Sequence, residues 1–199
     1  MSTTDVPLRH RSMRADAHRN RERLLAASQA AFVEHGIDAS LEDVARRAEV
    51  GIGTLYRHFP TREALLEAVL RKRVEALRDQ AREALAAPDA AEALEVWLRS
   101  LATTAGVYRG VPASLIKAMK DPESELGALC AEMLATSGDL LARAQRAGSV
   151  RPDADMAEVG AMLSAIAMVA DGAPDPAGVT DHLVTILMDG LRSRPPGGS

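Results

Sequence analysis

Residues 40–59, Ser40-Leu41-Glu42-Asp43-Val44-Ala45-Arg46-Arg47-Ala48-Glu49-Val50-Gly51-Ile52-Gly53-Thr54-Leu55-Tyr56-Arg57-His58-Phe59, read as two short helices around a tight turn. Ser40 is a residue type that caps helices, and Asp43 stands three positions on in a capping-box-like spacing. Leu41, Val44, Ala45 and Ala48 then recur at helical intervals and form one buried stripe, on a helix of about two turns. Glu49, Val50 and Gly51 supply the turn, and the second helix runs from Ile52 to Phe59, where Pro60 ends it. On that helix Leu55, Tyr56 and Phe59 fall on one side, whereas Gly53, Thr54, Arg57 and His58 form a small, cationic, hydrogen-bonding side. Periodicity places Ile52 with the buried residues. Such a surface fits a DNA major groove about 12 Å wide, with Thr54 and Arg57 able to donate to base edges or phosphates. An ordinary αα-hairpin fits the same pattern, and geometry alone leaves both readings open.

Working outward, the same punctuation divides the rest of the chain into helices. A first helix is expected from about Asp16 to His35, with Leu24, Leu25, Ala27, Ala31 and Phe32 on one stripe and Gly36 as a left-handed cap. Thr61 caps a long fourth helix through Leu65, Leu66, Val69, Leu70 and Leu77 to about Ala86, closed by Pro88. Asp89 with Glu92 opens a fifth, carrying Leu94, Trp97, Leu98 and Leu101, and the segment Gly106 to Pro112 breaks it. A sixth spans about Ala113 to Lys120, and Asp121-Pro122-Glu123 reads as the cap of a seventh that stops at Gly148, with Gly138 leaving its continuity open. Asp153 or Asp155 starts an eighth, and a ninth runs from about Ala177 to Leu191. The fold class is therefore all-α, with about nine helices. The composition agrees: 3% of the residues are aromatic, Ala and Leu dominate, and β-branched residues are sparse, which excludes a β-sandwich or barrel.

Charge divides the chain in two. Residues 1–73 carry 13 Lys and Arg against 10 Asp and Glu, and residues 74–199 carry 11 against 18, which accounts for the net charge of −4. Arg9, Arg11, Arg14, Arg19, Arg21 and Arg23 crowd the start, so a polyanion-binding head on a body with another task is one reading and a solvated tail the other. Four parts are expected: a flexible basic arm over 1–15, a head over 16–73, a body over 74–192 and a mobile tail over 193–199. The longest apolar run, Ala161 to Ala170 with Ser164 inside it, is about half a membrane span, and the expected location is the cytoplasm. Cys130, the single cysteine, cannot build a disulfide framework or thiolate metal site within one chain and reads as core. No HExxH, GxSxG, Walker or GxGxxG pattern occurs, so neither metal nor catalytic residues are assigned and an enzyme is disfavoured.

The stretch from Arg23 to Leu70 resembles the DNA-binding domain of the TetR family of transcriptional repressors. The resemblance rests on Phe32 and Gly36, on Ser40-Leu41-Glu42-Asp43-Val44-Ala45, on Gly53-Thr54-Leu55-Tyr56-Arg57-His58-Phe59, and on Thr61, Glu63 and Leu65-Leu66, about a quarter of the chain. It implies that Ser40 meets a phosphate, that Gly53 and Thr54 approach bases, that Tyr56, Arg57 and His58 hold the DNA backbone, and that Arg62, where relatives often carry Lys, is a further phosphate contact. With Leu41, Gly51 and Ile52, these residues make up the DNA-facing set. Two departures stand out: Ile52 occupies a position often taken by Lys, and Gly51 replaces a common Ser. Ile52 can offer only apolar contact, such as a thymine methyl, and the N-terminal arginines can compensate by entering a minor groove.

The resemblance further implies a homodimer, in which helices at about 153–170 and 177–191 meet their two-fold mates. The eighth and ninth helices carry apolar residues on several sides, which suits burial against another chain or within one. A dimer would place two recognition helices about one DNA turn apart on a pseudo-palindromic operator. The body is expected to hold a small-molecule effector among Trp97, Leu101, Tyr108, Met119, Met133 and Met162, although each of these also fits a core. The expected function is a ligand-released repressor without cofactor. A helical interaction protein that no longer binds DNA is the alternative that Ile52 and the acidic balance keep open.

Overall fold

Pro7 is the last proline before a run of residues to His35 that contains no glycine, and helix follows that run. In the computed structural model, α1 spans Val6–His35, ten residues earlier than the start expected near Asp16. Proline in the first turn lacks an N–H that no helical carbonyl needs there, so it permits the early start. The structure describes the backbone of residues 6–105 and 111–193 and the side chains of 15–104 and 111–193. Tyr108, the first five residues of the expected arm and the last six of the expected tail lie outside the described residues.

Eight more helices follow among the described residues: α2 (Leu41–Arg47), α3 (Ile52–His58), α4 (Arg62–Ala86), α5 (Ala90–Ala105), α6 (Ala113–Lys120), α7 (Glu125–Arg146), α8 (Met156–Asp171) and α9 (Pro176–Leu191). Among the described residues there is no strand, only an isolated antiparallel bridge between Val150 and Arg192. Local chemistry explains the boundaries. Ser40 Oγ accepts from the Asp43 N–H, Asp155 from Ala157 N–H and Asp175 from Gly178 N–H, so α2, α8 and α9 each begin on a side-chain cap. Gly36 and Gly148, both at φ +74°, close α1 and α7 in the left-handed conformation. Gly138 does not interrupt α7.

The start of α7 differs from expectation. Ser124, not Asp121, is its N-cap, accepting from Gly127 N–H at 2.9 Å while donating to Ala118 carbonyl at 2.6 Å. Asp121-Pro122-Glu123 instead forms a turn closed by Ser124 N–H on the Asp121 carbonyl at 3.0 Å. Gly127 is required there, because a Cβ would lie 1.9 Å from that same carbonyl oxygen.

The chain forms two compact units, one of residues 1–70 with 110–115, the other of 71–109 with 116–199. In the first, α1 packs on α2 and α2 on α3. Its core holds Leu24, Leu25, Phe32, Val44, Leu55, Phe59, Leu65 and Leu66, all at most 5% exposed. In the second, α5 lies against α7, α8 and α9. Its core joins Val74, Leu77, Leu94, Trp97, Leu98, Leu126, Leu140, Leu163, Val184 and Met188, with Cys130 among them. Trp97 donates its indole N–H to Ser137 Oγ at 3.1 Å, which lets the one tryptophan bury completely with its polar atom satisfied. Helix α4 contributes Leu65, Leu66, Val69 and Leu70 to the first core and Val74, Leu77 and Ala81 to the second.

Candidate nucleic-acid interface

Packing decides which side of α3 meets solvent. Leu55 and Phe59 are buried at 0% and 3%, which turns the remaining faces of this seven-residue helix outward. Gly51, Ile52, Gly53, Tyr56 and Arg57 are exposed, and Thr54 and His58 are half-buried. Tyr56 is 47% exposed and so lies off the apolar side to which its spacing assigned it. Ile52, at 37%, is likewise off the buried stripe, because it is the first residue of α3 and the chain has only just left the turn. That turn contains a strained residue: Glu49 sits at φ +53°, a conformation in which L side chains crowd the following carbonyl.

The polar groups on this surface differ sharply in how far they are committed. Arg57 Nε donates to the Gly53 carbonyl at 3.2 Å and Nη2 to Thr54 Oγ1 at 2.8 Å, so the guanidinium lies along its own helix with no carboxylate beside it among the described residues. The other arginines of the head are largely neutralised. Arg19 pairs with Asp16, Arg23 with Glu49, and Arg46 with Asp43, while Arg47 bridges Glu34 at 2.7 Å and Asp43 at 3.1 Å. The Arg47 hydrogen bond holds the Glu34 carboxyl below its usual range, and the Arg46 hydrogen bond does the same for Asp43. Arg21 stacks its guanidinium over the Phe59 ring at 5.4 Å.

Three members of the expected set behave otherwise than their assignment. Leu41 is buried at 6%, so its side chain belongs to the head's core and has no face for DNA; its place on the stripe with Val44 and Ala45 accounts for this. Ser40 donates its hydroxyl proton to Glu42 Oε2 at 2.9 Å, so the proton a phosphate would need is already engaged. Arg62 turns inward, donating from Nη1 to the Ile37 and Ala39 carbonyls, both at 2.8 Å.

In the second unit the described members of the expected ligand set differ in burial. Trp97 and Met133 are buried in the core, and Leu101 and Met119 are partly buried against it. Met162 is 52% exposed on the outer side of α8, since α8 is apolar on nearly all sides and only part of it can face inward. Trp97 lines an open cleft of about 500 Å³ between the end of α4 and α5, with Gln80, Glu83, Pro88, Glu92 and Val96 among its other walls. Beside that cleft Arg143 of α7 donates to the carbonyls of Ala84, Ala87 and Pro88, which gives the acceptors where α4 ends a side-chain donor. Nothing local in the sequence links Arg143 to these residues, 55–59 positions away. Among the described residues no group of three or more His, Cys, Asp or Glu is arranged to hold a metal ion. No described helix is long and apolar enough to cross a membrane.

Comparison with known proteins gives two family matches: "Bacterial regulatory proteins, tetR family" over residues 24–69, and "Transcriptional regulator SbtR-like, C-terminal domain" over residues 89–193, more than half of the chain. A TetR transcriptional regulator from Streptomyces coelicolor is 36% identical, aligned over 88% of this chain and 99% of its own, with a TM-score of 0.71. A TetR transcription regulatory protein from Mycobacterium vanbaalenii is 38% identical over 90% of this chain and 99% of its own, with a TM-score of 0.62. The HTH-type transcriptional regulator UidR of Escherichia coli is 35% identical over 72 residues, which are 36% of this chain and 34% of UidR. The chain thus matches about a third of the length of such curated relatives.

Proposed function

This chain belongs to the TetR family of DNA-binding transcriptional regulators, and from that premise we propose that it is a dimeric repressor which a small-molecule effector releases from a pseudo-palindromic operator. The observation that carries the reading is the exposed surface of α3. Gly53 leaves the backbone open, with nothing within 4 Å of where its Cβ would stand, and Thr54 and Arg57 beside it offer donors that no carboxylate neutralises. In the proposed complex this face lies in the major groove. Gly53 and Thr54 approach base edges, Ile52 and Gly51 make apolar and backbone contacts, and Tyr56, Arg57 and His58 hold phosphates. Ser40 joins them when its hydroxyl leaves Glu42.

Dimerisation is proposed through α8 and α9. Met162, Met168, Val169 and Ile186 are 52–70% exposed, and on α8 they recur with Ala161 and Ala165 along one side. An apolar stripe of this kind on two adjacent helices suits burial against a two-fold mate. The effector is proposed to enter the cleft beside Trp97, whose Glu83 and Glu92 favour a ligand with positive charge. Helix α4 supplies residues to both units and borders that cleft at Gln80, Glu83 and Ala84, so it is the element through which binding would be felt at the head.

Sedimentation and DNA binding of a Met168→Asp variant test the assembly. Met168 is 70% exposed, so the change costs the monomer little packing; the expected result is a monomer with native helicity and weakened operator binding. A variant that stays dimeric and keeps full affinity would place the interface elsewhere.

A further inference from the structure

The geometry assigns Arg62 as the positioning residue of the helix-turn-helix rather than as a phosphate contact, an inference that rests on the head's binding DNA. Arg62 is the first residue of α4 and is half-buried. Both hydrogens of its Nη1 are spent on the carbonyls of Ile37 and Ala39, each at 2.8 Å. Those carbonyls belong to the short loop between Gly36, which ends α1, and Ser40, which caps α2. Within this loop the backbone contributes one further bond, Ala39 N–H to Gly36 carbonyl at 3.2 Å. Arg62 therefore ties the start of α4 to the chain just before α2, and α2 packs directly on α3. The tie sets the angle at which the second helix leaves the loop and, through it, where the exposed face of α3 points. The same guanidinium lies close enough to Glu42 to help lower its carboxyl pKa, behind the bond from that residue's own backbone N–H and the one from Ser40.

A lysine cannot take over this role. Its ammonium ends one bond short of Nη1 and lacks the planar fork that presents two hydrogens to two carbonyls in fixed directions, although it supplies the same charge to a phosphate. Charge and geometry can thus be separated at this one position.

The test compares wild type, Arg62→Lys and Arg62→Ala. The probes are a duplex selected by the wild-type protein from a random pool and an unselected duplex, each titrated at several salt concentrations, with amide hydrogen exchange of the free proteins alongside. The expected result is that Arg62→Lys binds the selected duplex about tenfold more weakly, loses less on the unselected one, and keeps the wild-type salt slope. In both variants the amides of 39–44 exchange at least about fivefold faster. Wild-type affinity and exchange in Arg62→Lys, or a slope reduced by about 0.9 per lost phosphate in Arg62→Ala with exchange unchanged, would overturn the assignment in favour of a phosphate contact. If the wild type shows no salt-dependent binding to any duplex, the DNA reading itself fails, and unchanged exchange in the variants would separately remove the tie.

Discussion

Replacing Gly53 by alanine separates DNA binding from folding at one atom. Gly53 is the second residue of α3, has no positive φ, and has nothing within 4 Å of the position its Cβ would take. A methyl group there meets no protein atom, and alanine narrows the unfolded ensemble, so the change should stabilise the head by about 0.4–1 kcal/mol. For a chain of this size that raises the melting temperature by roughly 1–4 °C. In the proposed complex the same methyl would stand where the backbone of α3 approaches the bases. Losing one base-edge contact costs about 1–3 kcal/mol, equivalent to roughly 5- to 150-fold in affinity per head. Thermal unfolding by circular dichroism and anisotropy titration of a selected duplex measure the two effects on one preparation. A raised melting temperature with operator affinity within twofold of wild type would refute the placement of this face against DNA.

Other positions are open to similar tests. Arg57→Gln should lower affinity for selected and unselected duplexes alike and reduce the salt slope by about 0.9 for each phosphate it contacts, read from titrations at several salt concentrations. Glu49→Gly should stabilise the protein in urea by about 1 kcal/mol, because glycine adopts the φ of +53° without strain and the exposed pair with Arg23 contributes little. Trp97→Ala should cost about 3–5 kcal/mol in the same assay, and Trp97→Phe distinctly less, since phenylalanine refills most of the volume. Asp153, hydrogen-bonded by Arg151, has its carboxyl held down to about 2, and a carbon-detected NMR titration should find that midpoint and its return toward 3.8 in Arg151→Ala. Because the folded value lies below the unfolded one, the pair favours the folded state above pH 3.8 and loses that contribution as pH falls toward 2.

The boundaries of α2, α3 and α6 were legible to within a residue or two because each is set by local chemistry: Ser40 as a cap, Gly51 as a turn, Pro60 and Pro112 as breaks. Polar side chains were harder to place. Arg62 and Arg143 carry the charge expected of ligand or phosphate contacts, yet each ends on backbone carbonyls 23 to 59 positions away, and no periodic pattern encodes such a partner. Met162 illustrates a different limit. On a helix apolar nearly all round, spacing does not say which third faces the core; the third that does carries Val159, Leu163, Ala167 and Ala170, all buried. Residues 111–115 join the first unit although they follow α5 of the second, an arrangement set by long-range packing.

Fluorescence anisotropy tests whether α3 reads DNA in a two-fold assembly. Purified protein would be titrated into its selected duplex and into a random duplex at two salt concentrations, with stoichiometry fixed at saturating DNA. The expected result is tight, selective, salt-dependent binding with two chains per duplex. Equal affinity for both duplexes, or one chain per site, would contradict it.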